Sequence, residues 1–236
     1  QHVMVVSDKH GNNYGLHSEN GVLRTIRSPH GEVQIAWGTD GKPTGLKLSE
    51  NVILQKDDQG WSLYDKGVRQ KARAFDDVQI SADGTITKTC QAQGSEPAFK
   101  TTEHIDGTFV VEKDGVITRS KNLRGETIDF AYDQNKNLVS LEMPGAVKFV
   151  KEASGWVKHT EIPGRAKERE EYASVSVDEK GKVTAIDRNG VIIEHSLDGK
   201  TKASVTGDPR EPLNLQTQKQ HFEQVAKNID DPIARM

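Results

Sequence analysis

Thr127 to Pro144 reads TIDFAYDQNKNLVSLEMP, and this stretch decides the fold. Ile128, Phe130 and Tyr132 alternate with Asp129 and Ala131, the period of a strand with one face buried. The polar run Asp133-Gln134-Asn135-Lys136-Asn137 then reverses the chain, and Leu138 and Leu141 begin a return strand. The reading is one β-hairpin.

The same pattern recurs at a fixed distance. Adding 95 carries Val33 to Ile128, Ile35 to Phe130, Trp37 to Tyr132, Leu46 to Leu141, Val52 to Val147, Leu54 to Phe149 and Gly60-Trp61 to Gly155-Trp156, with no gap. A second offset of 45 carries Ile128, Phe130, Tyr132, Leu138 and Leu141 to Ala173, Val175, Val177, Val183 and Ile186. Val78 and Ile80, followed by Asp83-Gly84, supply a further copy. Blocks therefore start near 33, 78, 128 and 173, each long enough for two hairpins of roughly twenty residues.

Turn chemistry agrees. Asn20-Gly21 is a signal for a type I′ turn, whose two central residues need positive φ, and Asn189-Gly190 is expected to repeat it. Asp40-Gly41, Asp83-Gly84, Asp106-Gly107, Asp114-Gly115 and Asp198-Gly199 punctuate the rest. His2 to Val6 reads as a strand and Asp8 to Asn12 as its turn. Gln91 to Thr102 breaks the rhythm as a long loop or irregular strand, and the charged run Pro163 to Glu171 reads as a solvated loop.

Beyond Pro209 and Pro212 the pattern changes. Phe222, Val225, Ala226 and Ile229 share one helical face, so an amphipathic helix is expected within Leu215 to Ile229, laid over the last hairpin or the open end of the sheet. Residues 1–207 thus read as a β-hairpin repeat domain and 208–236 as a linker and helix.

Composition bounds the function. Hydrophobic residues are 33% of the chain, lean for a thick core but sufficient for a sheet buried on one face. With a net charge of −3 and no Lys/Arg block, neither nucleic acid nor an anionic membrane is an expected partner. Cys90 is the single cysteine, which rules out an internal disulfide framework. No apolar run approaches the ~20 residues of a membrane helix, and membrane insertion is not expected. A chain opening on Gln1 reads as an excised or processed piece.

Ile128-Asp-Phe-Ala-Tyr132-Asp133, followed by a short turn and Asn137-Leu138, resembles the YD repeat of bacterial RHS proteins. Trp37-Gly38 and Val177-Asp178 stand at the same place in the other copies, and Gly41 and Gly181 keep the turn glycine. The resemblance spans residues 1–207. It implies hairpins joined into a long spiralling sheet, a surface-exposed or secreted location, and a scaffold role beside other domains of a parent protein.

Motifs for chemistry do not emerge. The eight histidines form neither His-Glu-x-x-His nor His-x-His, and no metal site or cofactor is expected. Asp57-Asp58 and Asp76-Asp77 are neighbours on strands, so their carboxylates point to opposite faces and share no proton. No catalytic residue is assigned. Trp37 and Tyr132 read as core; Trp61 and Trp156, each after a glycine, read either as core or as sugar-stacking platforms, and are the candidate ligand-binding residues.

The expectation is an all-β chain of tandem antiparallel hairpins in an extended or spiralling sheet with one C-terminal α-helix. Its role is a non-enzymatic structural or interaction segment with a protein or glycan partner. The rivals are a carbohydrate-binding module and an enzyme on a four- or five-bladed β-propeller.

Overall fold

The computed structural model describes residues 2–7, 13–28, 31–161, 163–164 and 166–205, without the side chains of His2, Val6 and Ser7. The expected turn at Asp8 to Asn12 and the helix within Leu215 to Ile229 lie outside the described residues. The chain is all-β: 21 strands, every pairing antiparallel, in two sheets, with no helix among the described residues. Among the described residues no helix is long and apolar enough to cross a membrane.

The first sheet holds β1 (His2–Ser7), β2 (Asn13–Glu19), β3 (Val22–Ser28), β4 (Gly31–Trp37), β5 (Pro43–Lys47), β6 (Val52–Asp57), β7 (Gly60–Asp65) and β8 (Val68–Phe75), in that order. The second begins with β9 (Asp77–Ile80), β10 (Ile86–Cys90), β11 (Phe99–Glu103), β12 (Phe109–Lys113), β13 (Val116–Lys121) and β14 (Thr127–Tyr132). It continues with β15 (Leu138–Met143), β16 (Val147–Glu152), β17 (Gly155–Thr160), β18 (Glu168–Val177), β19 (Val183–Asp187), β20 (Val191–His195) and β21 (Thr201–Val205). Within each sheet every strand pairs with its sequence neighbours, and the break falls between β8 and β9. A four- or five-bladed propeller would cut these strands into separate four-stranded blades, and the continuous sheets of 8 and 13 strands exclude that architecture.

The chain groups into two compact units, Gln1–Val116 and Ile117–Met236. In the first, Leu16, Ile26, Ile35, Leu46, Leu54, Trp61, Ala74, Val78 and Ile86 form one buried cluster drawn from β2 through β10. In the second, the amide of Leu123, just after β13, donates to the carbonyl of Leu197, just after β20, at 2.8 Å. Those strands are seven apart in order, about 34 Å across a flat sheet at the usual strand spacing. The sheet of this unit therefore curls back on itself.

The offset of 95 is structural. Ile35 and Phe130, Leu46 and Leu141, Leu54 and Phe149, and Trp61 and Trp156 are all buried. Both copies even carry the same β-bulge, between Ala36 and Trp37 and between Ala131 and Tyr132. Phe130 pairs with Leu141, which pairs with Phe149, as Ile35 pairs with Leu46 and Leu46 with Leu54.

The offset of 45 holds only in part. Phe130 and Val175 are both buried, but Ala173, expected to match Ile128, is exposed, because a bulge between Tyr172 and Ser174 swings it outward. On the return strand the buried residue is Ala185, not Ile186, because β18 and β19 pair in continuous register from Ser174 to Val177 where β14 and β15 are bulged. One extra residue in a strand turns the following side chains to the other face.

Turn geometry explains the Asp-Gly punctuation. In the loops opening at Gly38, Ser81, His104, Asn122, Asp133, Asp178 and Ser196, the first amide donates to the carbonyl four residues on. The amide of the fourth residue donates back to the first carbonyl. These are three-residue hairpin loops whose last residue adopts positive φ. That residue is Gly41, Gly84, Gly107, Gly125, Gly181 or Gly199, and in one loop Lys136 at φ 62°. An Asp or Asn side chain closes each loop. Asp40, Asp83, Asp106 and Asp198 accept the amide two residues on; Asn122, Asp133 and Asp178, at the loop's first position, accept amides two and four residues on.

The expected repetition of the Asn20-Gly21 turn at Asn189-Gly190 fails. Asn20 and Gly21 have φ 52° and 77°, a type I′ pair, as do Lys66-Gly67 and Asp114-Gly115. At Asn189-Gly190 only the glycine is positive, and Asp187 accepts the amides of Asn189 and Val191. The Asp187 carboxylate makes a longer loop more favourable than the two-residue turn. Pro163 to Glu171 also differs from its reading as loop, since Glu168 to Glu171 lie in β18 and pair with Thr160 to Val157. Alternating salt-bridge partners make a charged strand stable there; Arg169 bridges Glu152 and Glu171. Between Gln91 and Thr102 a loop with a Gln93–Glu96 bridge precedes β11.

Lys136 pays the steric cost of a side chain in the left-handed region where the equivalent Gly41 pays none. Lys136→Gly is expected to raise stability by about 0.5–1 kcal/mol, read as a higher urea midpoint with unchanged slope.

Candidate functional site

Trp61 and Trp156 are 1% and 6% exposed. Each pairs across strands with an aromatic residue, Trp61 with Phe75 and Trp156 with Tyr172. The preceding Gly60 and Gly155 have φ 118° and 130°, and a Cβ on either would stand 3.0 or 3.1 Å from the carbonyl oxygen of Phe75 or Tyr172. The glycines therefore admit the neighbouring backbone; they do not open a surface. Of the two readings of these tryptophans the structure takes the packed one, and no ring face is presented for stacking. Trp37 and Tyr132 are half-buried. The Trp37 indole Nε1 donates to the carbonyl of Leu23 at 2.5 Å, and burial pushes the Tyr132 phenol up.

The paired carboxylates serve local structure. Asp57 accepts from the Gln59 amide at 2.9 Å and from Arg69 at 2.7 Å, which also reaches the Tyr64 hydroxyl. Asp76 takes Arg73 at 2.5 Å and the Gln91 amide at 2.6 Å. Among the described residues no group of three His, Cys, Asp or Glu is arranged to hold a metal ion.

Titratable groups converge within the second unit. Lys158 Nζ lies 3.2 Å from Glu170 Oε2, and the Tyr172 hydroxyl donates to the same oxygen at 3.0 Å. The Tyr172 ring stands edge-on to Phe149 with centroids 5.2 Å apart. Burial raises the Tyr172 phenol far above its ordinary value, and the Glu170 carboxylate raises it further. His195 shares a 2.9 Å hydrogen bond between Nδ1 and Thr201 Oγ1. Burial, then the Lys158 charge, pull its pKa down to about 4. The cluster is self-satisfied: a cation beside a carboxylate, a phenol held by that carboxylate, and a neutral imidazole held by a hydroxyl. That is the pattern of a buried polar seam between strands.

A different surface is open. On the outward side of β4, β5 and β6, Gln34, Ala36, Thr44, Gly45, Lys47, Ile53 and Gln55 border a depression of about 390 Å3. Its floor is shallow in side chains because Ala36 faces Gly45, and Gly45 faces Gln55. Ile53 stands 37% exposed at one edge. Lys47 lies in register between Gln34 and Ile53, and among the described residues no carboxylate stands within ion-pair distance of it.

The copy 95 residues later shows what a closed surface looks like. There Ser140 replaces Gly45, Glu142 replaces Lys47, Lys148 replaces Ile53 and Asp129 replaces Gln34. Glu142 bridges Lys148 at 2.7 Å, and Asp129 bridges Arg119 at 2.5 Å. The first copy keeps the backbone and loses both ion pairs. Sequence reading followed the buried residues of the repeat and overlooked this surface; comparing the outward residues at the same offset exposes it. No protein-family model matches the chain, and no curated protein matches it.

Two outcomes test the packed groups. Trp156→Ala removes a buried ring and leaves a cavity, so a loss of about 3–5 kcal/mol is expected in chemical denaturation. His195 is neutral in the fold while its unfolded counterpart protonates below its ordinary value of 6.5. The unfolded chain therefore binds the extra proton between pH 6.5 and about 4, and stability falls as pH falls through that window, by on the order of 2 kcal/mol. In His195→Gln the stability–pH curve should be flatter over that interval. The Asp198 carboxyl, held down to about 2 by Lys200 and Ser196, titrates below the same window.

Proposed function

We propose that this chain is a non-enzymatic structural and interaction segment of a larger surface-exposed or secreted repeat protein of the RHS kind, and that the β4–β6 depression is its contact point for an acidic partner. The observation that carries this is the contrast between equivalent surfaces: one copy neutralises its outward charges across the strands, and the other leaves Lys47 beside a depression floored by Gly45 and Ala36. A repeat gains nothing in stability from keeping a solvated cation beside an exposed isoleucine, whereas a ligand carboxylate there meets a charge with no competing partner.

A second reading, a carbohydrate-binding module, keeps support from the same place and no longer from the tryptophans. Gln34 and Gln55 border the depression beside Lys47; the Gln34 Nε2 is held by Glu32 at 3.2 Å, and its oxygen and the Gln55 amide can pair with hydroxyl groups, equipment for an acidic sugar. Surface plasmon resonance against uronate oligosaccharides and poly-glutamate tests both. Salt-sensitive binding to either is expected, lost in Lys47→Glu/Ile53→Lys, which installs the ion pair of the second copy without touching the core. Binding to neither probe, or equal binding by the double variant, overturns the proposal; the probe that binds selects between protein and sugar.

A further inference from the structure

The chain carries the tripeptide Asn-Gly-Val twice, at Asn20 to Val22 and at Asn189 to Val191, and folds it in two ways. Asparagine before glycine is the pair in which a side-chain amide and the next backbone amide react most readily, because glycine has no Cβ to obstruct their approach. The reaction needs that backbone amide exposed and free of an acceptor. Identical tripeptides give no reason for the two copies to differ; their hydrogen bonds do.

At Asn189-Gly190 the glycine amide donates to the Asp187 carbonyl at 3.2 Å. The Asp187 carboxylate takes the amides of Asn189 and Val191, each at 2.8 Å, and Asp187 and Val191 are both buried.

Asn20 and Gly21 are instead the centre of a type I′ turn, in which the amide of the second central residue takes no part in the closing hydrogen bonds. Among the described residues the Gly21 amide has no acceptor. Asn20, Gly21 and Val22 are exposed, and nothing lies within 4 Å of where a Gly21 Cβ would stand. The pairing of β2 with β3 is bulged at Arg24, so only Ser18–Leu23 and Glu19–Val22 hold the tip beyond the bulge. Opening of that tip leaves the buried pair Leu16–Ile26 in place.

The Asp-Gly pairs do not compete. The amides of Gly41, Gly84, Gly107 and Gly199 each donate to the carbonyl three residues back. Asp114-Gly115 forms the same turn as Asn20-Gly21, but the Asp114 carboxylate accepts the Ala98 amide at 3.1 Å, and an ionised carboxylate resists attack where a neutral amide does not.

We propose that Asn20 is a site of spontaneous covalent modification, deamidating through a cyclic imide formed with Gly21, while the fold protects Asn189. The Gly21 nitrogen, having lost its proton, attacks Asn20 Cγ. The new C–N bond closes a succinimide ring, and the side-chain nitrogen leaves as ammonia with a proton in exchange for the one Gly21 gave up. Water then adds to one of the two imide carbonyls, its hydroxyl going to the carbon and its hydrogen to the Gly21 nitrogen. Opening at the side-chain carbonyl leaves an aspartate; opening at the main-chain carbonyl breaks the original peptide bond and leaves an isoaspartate, with the chain running through the side-chain carboxyl. Either product adds a negative charge to the exposed tip. The isoaspartate also inserts a methylene into the backbone, which a two-residue turn does not absorb without losing the Glu19–Val22 pair.

The duplicated tripeptide supplies its own control. The full chain is incubated at mildly alkaline pH, folded in buffer and unfolded in guanidinium chloride, then digested for peptide mapping by mass spectrometry, with isoaspartate scored by a protein isoaspartate methyltransferase. In the folded chain Asn20 is expected to convert about tenfold faster than Asn189 or more, the factor set by first releasing one hydrogen-bonded amide at Gly190. In guanidinium chloride the two rates should converge. The Asn20 rate should fall at mildly acidic pH, where less of the amide nitrogen is deprotonated, and in Gly21→Ala, where a Cβ obstructs ring closure. Comparable rates for the two asparagines in the folded chain, a difference that persists in denaturant, or a folded chain in which Asn20 does not convert each overturn the proposal.

Discussion

Register at the chain reversals is the constraint on which the structure depends. In a tandem of antiparallel strands with one buried face, a slip of one residue exchanges core and solvent for a whole strand. This chain fixes register at turn after turn with a three-residue loop, a residue of positive φ, and a carboxylate or amide side chain that takes up otherwise unpaired amides. Aspartate is suited to the task because its short side chain reaches its own backbone two residues on, and glycine because positive φ costs it nothing. Where Asn189-Gly190 meets Asp187, the carboxylate determines which turn forms.

With register fixed, burial follows from cross-strand layers. Ile35, Leu46 and Leu54 stand opposite one another with Trp61 buried one pair further along; Phe130, Leu141 and Phe149 with Trp156 are their counterpart. Each row ends where a glycine allows the backbone of the next strand to close over a tryptophan, so the largest side chains sit beside the least bulky residues. The identical bulge in both copies lies on the return strand, with Thr44 and Val139 as the extra residues, while Trp37 and Tyr132 keep the phase of Ile35 and Phe130 by ordinary alternation. Leu46 and Leu141, each at 0% exposure, mark the centre of the two rows.

The outward face is free of that demand, and it is where the copies diverge. Ion pairs there are worth at most about 1 kcal/mol each, so exchanging Glu142 and Lys148 for Lys47 and Ile53 alters the surface chemistry at little cost to the fold. The same freedom applies at the edges. Among the described strands, β8 is charged and bulged, and β1 is neither.

The sequence by itself determined the hairpins, the offset of 95, the turn sites and the buried rows, because alternation and turn chemistry are local and each copy repeats them within a few residues. It also placed Trp61 and Trp156 at equivalent positions, but left packing and stacking open, since a preceding glycine is compatible with either. Tertiary structure decided that both are buried, because only the approach of the Phe75 and Tyr172 carbonyls shows what the glycines are for. It decided too that Ala185 and not Ile186 faces the core, as a bulge depends on the partner strand. The curl that brings Leu123 to Leu197 was likewise beyond the sequence. Contacts between residues far apart in the chain leave no local periodicity to read.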